Sequence, residues 1–166
     1  MGIETGSLQH SFKEAMAHVA TPVAVVSSVD GGLPVGTTVS AFMSLSMTPP
    51  MVLVSLDKGS ETLELVTSSR RFGLNVLSSE QASTALKFAK KGGVGKFNGV
   101  RWDLDHGVPR IAGVAGWVAC TVDQIIEGGD HMIVLGNVVS AEHVQGEPLT
   151  YHGRVFGTHS AIEALQ

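Results

Sequence analysis

Between Gly36 and Thr62 the chain sets small hydroxyl side chains where a flat ligand with an anionic tail could use them. Thr38 and Ser40 share one face of an extended segment, because strand side chains alternate, and a hydroxyl both donates and accepts. The backbone amides of Val39 and Ala41 are equally available, and Ala41 offers nothing else. Pro49-Pro50 cannot donate to a ladder, so they end one strand and re-aim the chain. The apolar run Met51 to Leu56 follows, reaching a strand end and turn at Ser55-Leu56-Asp57-Lys58. Ser60 then stands as an N-cap before Glu61-Thr62-Leu63-Glu64-Leu65-Val66. The free amides of a helix start, with the hydroxyls of Ser60 and Thr62, favour an anionic group. A planar ring on the strands and a phosphate at the helix start would satisfy both halves. The plainer alternative is that Thr38 and Ser40 are ordinary strand hydroxyls, and Ser60 caps a helix under either reading.

Other candidates are weaker. Lys96, beside Phe97 on a glycine-rich loop, could meet a phosphate or the adenine side of a nucleotide, or be a solvated lysine. His131 follows Asp130 at a hairpin start; Tyr151 and Arg154 read either as C-terminal packing with an ion pair or as nucleotide contacts, since Arg suits phosphate. Asn75 and Gln81 read as serving a strand end and a helix cap. Cys120, inside an alternating strand, reads as core, whereas Trp102 and Trp117 fit core or a dimer contact.

Several signatures fail. In Gly93-Val94-Gly95-Lys96-Phe97-Asn98 the last glycine of a dinucleotide fingerprint is Asn98, and the P-loop pattern needs glycine at Lys90 and Ser or Thr at Phe97. Any nicotinamide nucleotide must therefore bind without a Rossmann unit. No nucleophile elbow exists. None of the seven histidines form the H-E-x-x-H pair, and one cysteine cannot build a zinc cluster.

Composition narrows the class. The 166 residues suit one domain, 1–166, with a real core. A net charge of −4 leaves no basic footprint for nucleic acid, and 5% aromatic residues argue against stacking bases on several rings. The single cysteine fits a reducing compartment, and no apolar run approaches the roughly 20 residues of a membrane span, so the expected protein is cytoplasmic, with no membrane partner.

The elements that must position these residues read as follows. Met1 to Gly6 are expected to fray, and Ser7 to cap a helix bearing Leu8, Phe12, Ala15, Met16 and Val19 on one face. Val23 to Val29 is a strand ending at the hairpin signal Asp30-Gly31-Gly32. A short helix is expected from Ser60 to Thr67, and a strand from Arg71 to Leu77. Ser78-Ser79-Glu80-Gln81 opens a helix whose buried stripe is Ala82, Ala85, Leu86 and Ala89. Lys87, Lys90 and Lys91 suit the dipole of its last turn, with Gly92-Gly93 as C-cap. Val94 to Arg110 reads as irregular. Val114 to Ile126 and His131 to Val144 form a long hairpin, and Leu149 to Tyr151 and Val155 to Thr158 the last strands. The expected fold is mainly β, with six or seven strands, two or three helices and an antiparallel barrel.

The order G-x-T-x-S-x-F, then S-x-S-x-x-P-P-x-V-L-V-S-L, then S-x-T resembles the short-chain flavin reductases. These are the FMN-binding split-barrel partners of two-component flavin-dependent monooxygenases. Further matching pieces are Phe72 to Leu77, Gln81 with Ala85 and Phe88-Ala89, Lys96-Phe97, Gly129-Asp130-His131, and Pro148-Leu149 with Tyr151, Arg154 and Phe156. The resemblance spans Phe12 to about Gly157. It implies a homodimeric antiparallel split β-barrel that reduces free FMN or FAD with NADH or NADPH and passes reduced flavin to a monooxygenase. It implies flavin contacts at Thr38, Val39, Ser40, Ala41, Ser55, Leu56, Asp57, Lys58, Ser60 and Thr62, and nucleotide contacts at His131 and Arg154. Lys96, Phe97 and Tyr151 complete the cofactor-binding set, and no residue is assigned a proton-transfer role. Alternatives are an FMN-retaining oxidoreductase acting on an organic substrate, a non-enzymatic flavin or haem binder, and a plain interaction domain.

Overall fold

Valines and alanines between Val23 and Val26 are buried on both sides of their strand, and this double burial organises the molecule. The computed structural model describes residues 5–93 and 95–163. In it, β1 (Thr21–Pro22) is short, and β2 (Ala24–Ser28) pairs antiparallel with β3 (Val35–Val39) through the Asp30-Gly31-Gly32 turn. Then come β4 (Phe42–Met47), β5 (Pro50–Asp57), β6 (Arg71–Val76), β7 (Trp102–Asp105) and β8 (Val108–Ile111). The long strands β9 (Gly116–Gly128) and β10 (His131–His143) precede β11 (Thr150–His152) and β12 (Val155–Gly157). The helices are α1 (Thr5–Ala17), α2 (Glu61–Ser69) and α3 (Ala82–Ala89).

Seven strands form one antiparallel sheet in the order β3-β2-β6-β9-β10-β5-β4. Its two edge strands, β3 and β4, are joined in sequence by Ser40-Ala41 and do not pair with each other among the described residues. The amide of Ser55 donates to Ala41 O at 2.9 Å, tying β5 to that connection. The sheet is thus mainly β and antiparallel, and its hydrogen bonding does not close into a barrel. Among the described residues no helix is long and apolar enough to cross a membrane.

Because β2 side chains alternate, Ala24 and Val26 enter one core while Val23 and Val25 enter the other. The first core, with Phe72, Leu74, Val54, Leu56 and Val134, packs under α2; the second gathers Phe88, Phe97, Trp117, Ile111 and Leu149 around α3 and β8. Each such large side chain contributes about 2 kcal/mol on burial. Gly73 lies where β6 meets Trp117: a Cβ there would sit 2.5 Å from the indole, so any side chain would displace it.

Several elements depart from the sequence reading. The helix α1 already includes Thr5 and Gly6, so Ser7 lies inside it rather than capping it, while Met1 to Glu4 lie outside the described residues. The stripe Leu8, Phe12, Met16 and Val19 is exposed in this chain, not packed. Along β6, Phe72, Gly73, Leu74 and Asn75 are all buried, because α2 covers one face and β8 the other. In α3 the buried residues are Ala85 and Phe88, while Leu86 and Ala89 face outward; its C-cap is Lys90 in an extended conformation, not glycine. The stretch expected to be irregular contains the β7–β8 hairpin. Asn75 holds it: Nδ2 donates to Pro109 O at 3.4 Å and to Val25 O at 3.2 Å, and Oδ1 accepts from the Ile111 amide at 2.7 Å. Cys120 is core, its thiol pushed up to about 12 by burial, and Trp117 is core as well. Gln81 does close a capping box with Ser78.

Candidate functional site

The residues of the opening motif converge on a trough that runs past the edge strand β3. At one end, a cavity of about 360 Å³ opens at the start of α2, lined by Asp57, Ser60, Glu61, Thr62, Lys90, Lys91, Gly93 and Lys96. In the middle, Thr37 to Ala41 face Ser55, Leu56, Asp57 and His131. At the other end, Val23, Thr38, Ser40, Leu86, Tyr151, Arg154 and Phe156 line an apolar groove of about 440 Å³. Volumes of this order are those of sites for small molecules and cofactors.

The α2 end combines a helix start with three lysines and two carboxylates. Ser60 is extended (φ −81°, ψ 127°) and its Oγ accepts from the Thr62 amide at 3.2 Å, so it is an N-cap as expected. Thr62 is 2% exposed and lines the cavity. Asp57 shapes the approach: its Oδ1 accepts from the Gly59 amide at 2.7 Å and its carbonyl accepts from the Ser60 amide at 3.0 Å. The carboxylate of Asp57 therefore builds the turn. Lys96 donates to Gly36 O at 3.2 Å and Phe88 O at 3.1 Å, bracing β3 against α3 with a partly buried ammonium. Burial holds its pKa below the ordinary lysine value, with the Glu61 carboxylate opposing that shift. The α2 start and the glycine turn approach closely: a Cβ on Gly93 would fall 2.0 Å from Glu61 Oε2.

In the middle, Thr38 Oγ1 donates to Ala85 O at 2.7 Å, so its hydrogen is committed to α3 and only lone pairs remain for a ligand. Val39 is 8% exposed and can contribute backbone only. Ser40 is exposed on the trough. Ser55 lines the same cavity, but its amide is used by Ala41. His131 sits across from Asp57 in the β10–β5 register. Its Nδ1 lies 2.8 Å from Asp130 Oδ1. A carboxylate only accepts, so the Nδ1 hydrogen points at Asp130, and that contact holds the Asp130 pKa below the usual carboxylate range.

At the far end Tyr151 packs on Phe156, ring centroids 5.1 Å apart, and Arg154 forms an ion pair with Glu14 of α1. His131 and Arg154 thus occupy adjoining cavities that share Thr38, Val39 and Ser40, rather than one.

Three expected contacts are placed differently from the rest of the set. Phe97 is a core residue, 6% exposed, edge-on to Phe88 at 4.8 Å and to Trp102 at 5.6 Å. Its neighbour Lys96 lines the cavity instead. Lys58 pairs with Glu127 and lies outside the trough. Leu56 is 1% exposed, so only its backbone reaches the cavity. Conversely, Lys90, Lys91 and Glu61 line the cavity at the α2 start, and Leu86 and Phe156 the groove. The crowding of lysines against Gly92-Gly93 was the available signal, and dipole compensation at α3 explained it too readily.

Residues 16–160 match the flavin reductase like domain. The reductase component of a 4-nitrophenol 4-monooxygenase/4-nitrocatechol 2-monooxygenase from Rhodococcus opacus is 38% identical over 88% of this chain and 78% of that protein. An FMN reductase (NADH) from Agrobacterium fabrum is 34% identical over 93% of this chain and 88% of that protein. A Streptomyces globisporus NADH:FAD oxidoreductase, solved in complex with NAD and FAD fragments, superposes with a TM-score of 0.87 at 29% identity, covering 99% of each chain. With most of its length matched and these relatives alongside, the chain belongs to the flavin reductase-like domain family.

Proposed function

We propose that this chain is an NAD(P)H-dependent flavin reductase that takes NADH, reduces FMN or FAD, and releases the reduced flavin to a partner monooxygenase. The observation that carries this reading is the trough itself: a capped helix start with lysines at one end, continuous with a polar strand edge at the other. The residues fit a flavin. Ser60, Thr62, Lys90 and Lys96 would hold its phosphate, while Thr38, Ser40, Ser55 and the backbone of Val39, Ala41 and Leu56 would face the ring. His131 stands where a nicotinamide could dock against that ring, and Tyr151 and Arg154 lie on the nucleotide side. When bound, the flavin supplies the hydride-accepting ring, so the chain needs no acid, base or nucleophile of its own. Its work is to stack two rings at reacting distance and keep water from between them.

The split-barrel architecture belongs to the same reading, with β3 and β4 as the strands flanking the split. We infer a homodimer as well. A helix as short as α1 is marginal in water without a packed face, yet Leu8, Phe12 and Met16 are all exposed here. Light scattering on the purified protein tests this: a dimeric mass supports the reading, and a monomeric mass removes it.

The functional test is loss of nicotinamide absorbance under air with FMN, FAD or no flavin added, and with NADPH in parallel. Turnover that depends on added flavin supports a diffusible-flavin reductase and ranks the flavins. Turnover with tightly bound flavin and none added favours a flavin-retaining oxidoreductase. Absence of turnover with either nucleotide removes the enzymatic reading.

A further inference from the structure

The β11–β12 hairpin turns through Gly153 and Arg154, at φ 58° and 63°. Positive φ at both central residues is the pattern of a type I′ turn, where glycine or asparagine is usual. At Arg154 the left-handed conformation costs roughly 1 kcal/mol, so the chain keeps a side chain where glycine would be easier. That side chain turns back to α1. Its Nη1 donates to Glu14 Oε2 at 3.3 Å and its Nη2 donates to Oε1, a two-pronged contact across the sequence. A second link, Gly153 N donating to Ala17 O at 2.7 Å, holds the carboxylate there.

Among the described residues Arg154 is also the one charged residue lining the apolar groove. The aromatic pair Tyr151–Phe156 and the side chain of Leu86 give that groove walls suited to an adenine ring. A phosphate on the adjoining ribose would meet Arg154 first. It would find two of the five guanidinium donors engaged by Glu14, and a carboxylate beside them.

We propose that Glu14, by occupying Arg154, makes this groove select NADH against NADPH. This rests on the reading that the groove takes the adenosine half of a nicotinamide nucleotide. A ribose hydroxyl can donate to the Glu14 carboxylate, as acidic residues accept from ribose in other dinucleotide sites, whereas a phosphate must displace Glu14 or sit against its charge. Glu14 thus sets specificity from a helix that contributes nothing else to the trough. The depressed pKa of Glu14, caused first by its hydrogen bond from Arg154, keeps it ionised through the neutral range.

The experiment compares kcat/KM for NADH and NADPH, at saturating flavin, in the parent, Glu14→Gln, Glu14→Asp and Arg154→Met. Taking both nucleotides on one preparation cancels differences in folded fraction. The parent should prefer NADH. Glu14→Gln should raise the NADPH to NADH ratio about tenfold, mainly through KM for NADPH, as expected when one like charge is removed from a phosphate contact. Glu14→Asp, which keeps the charge, should retain the parent ratio. An unchanged ratio in Glu14→Gln, with KM for NADH raised in Arg154→Met, overturns selection by Glu14 while leaving the nucleotide groove intact. Unchanged KM for both nucleotides in Arg154→Met overturns the groove assignment and the selection with it.

Discussion

At the α2 end of the trough, Lys90, Lys91 and Lys96, the carboxylates of Asp57 and Glu61, a helix start and Thr62 surround one cavity. At the groove end a single cation, already paired with Glu14, stands among apolar and aromatic walls. On the proposed reading the first region would hold a ligand by charge and directed amides, interactions that salt weakens. The second region offers area, which salt leaves nearly untouched. If, as proposed, flavin and nucleotide occupy the two ends, they would be held by separable physics, so that binding of one could be tuned without the other.

The largest expected effect that would break this contrast is at Lys96. Lys96→Met should weaken flavin binding about tenfold, read by quenching of flavin fluorescence, because a charged contact to phosphate is lost. It should also lower stability by about 2 kcal/mol in urea unfolding, since Gly36 O and Phe88 O lose their donor. The pH dependence follows from the same residue. The charge is present below the folded-state pKa, which burial depresses, so flavin affinity should fall with rising pH before an ordinary lysine would lose its proton. A flat profile through that alkaline range would show that Lys96 does not face the phosphate.

Ser60→Ala comes next. Loss of the N-cap should cost about 1 kcal/mol of stability, and flavin affinity should drop about fivefold. Unchanged affinity would remove the phosphate assignment at α2 and erase the distinction between the two ends. Phe156→Ala probes the other region: removing one ring of the aromatic pair should raise KM for NADH about threefold, with flavin affinity and its salt dependence unaltered. The smallest effect is at Glu61, whose carboxylate lies among the lysines. Glu61→Gln should tighten flavin binding about twofold, by an amount that disappears in high salt.

Much of this arrangement was legible in the residues. The turn signals Asp30-Gly31-Gly32 and Gly128-Gly129 marked β2–β3 and β9–β10, and Ser60 marked the start of α2, because these features are local. The β7–β8 hairpin was missed because Gly107 and Pro109 look like breaks. Its turn, His106-Gly107, has φ 51° and 78°, with histidine standing where asparagine usually signals the same geometry. Sequence also could not say which of two neighbours, Lys96 or Phe97, faces the cavity, since a glycine-rich loop has no period. The stripe of α3 shifted for a comparable reason: what covers a helix decides its buried face, and there Phe88 reaches the second core in place of Leu86.

The sparse attachment of α1 has a dynamic consequence. Among the described residues its polar ties to the rest of the chain are the Glu14–Arg154 pair and the Gly153–Ala17 hydrogen bond, and none of its described side chains is buried. In an isolated chain its amides should open in local fluctuations, independent of global unfolding, and exchange with deuterium far faster than those of β9 and β10. Protection of Leu8 to Met16 would therefore report directly on a second surface covering the helix, and would do so without any ligand present.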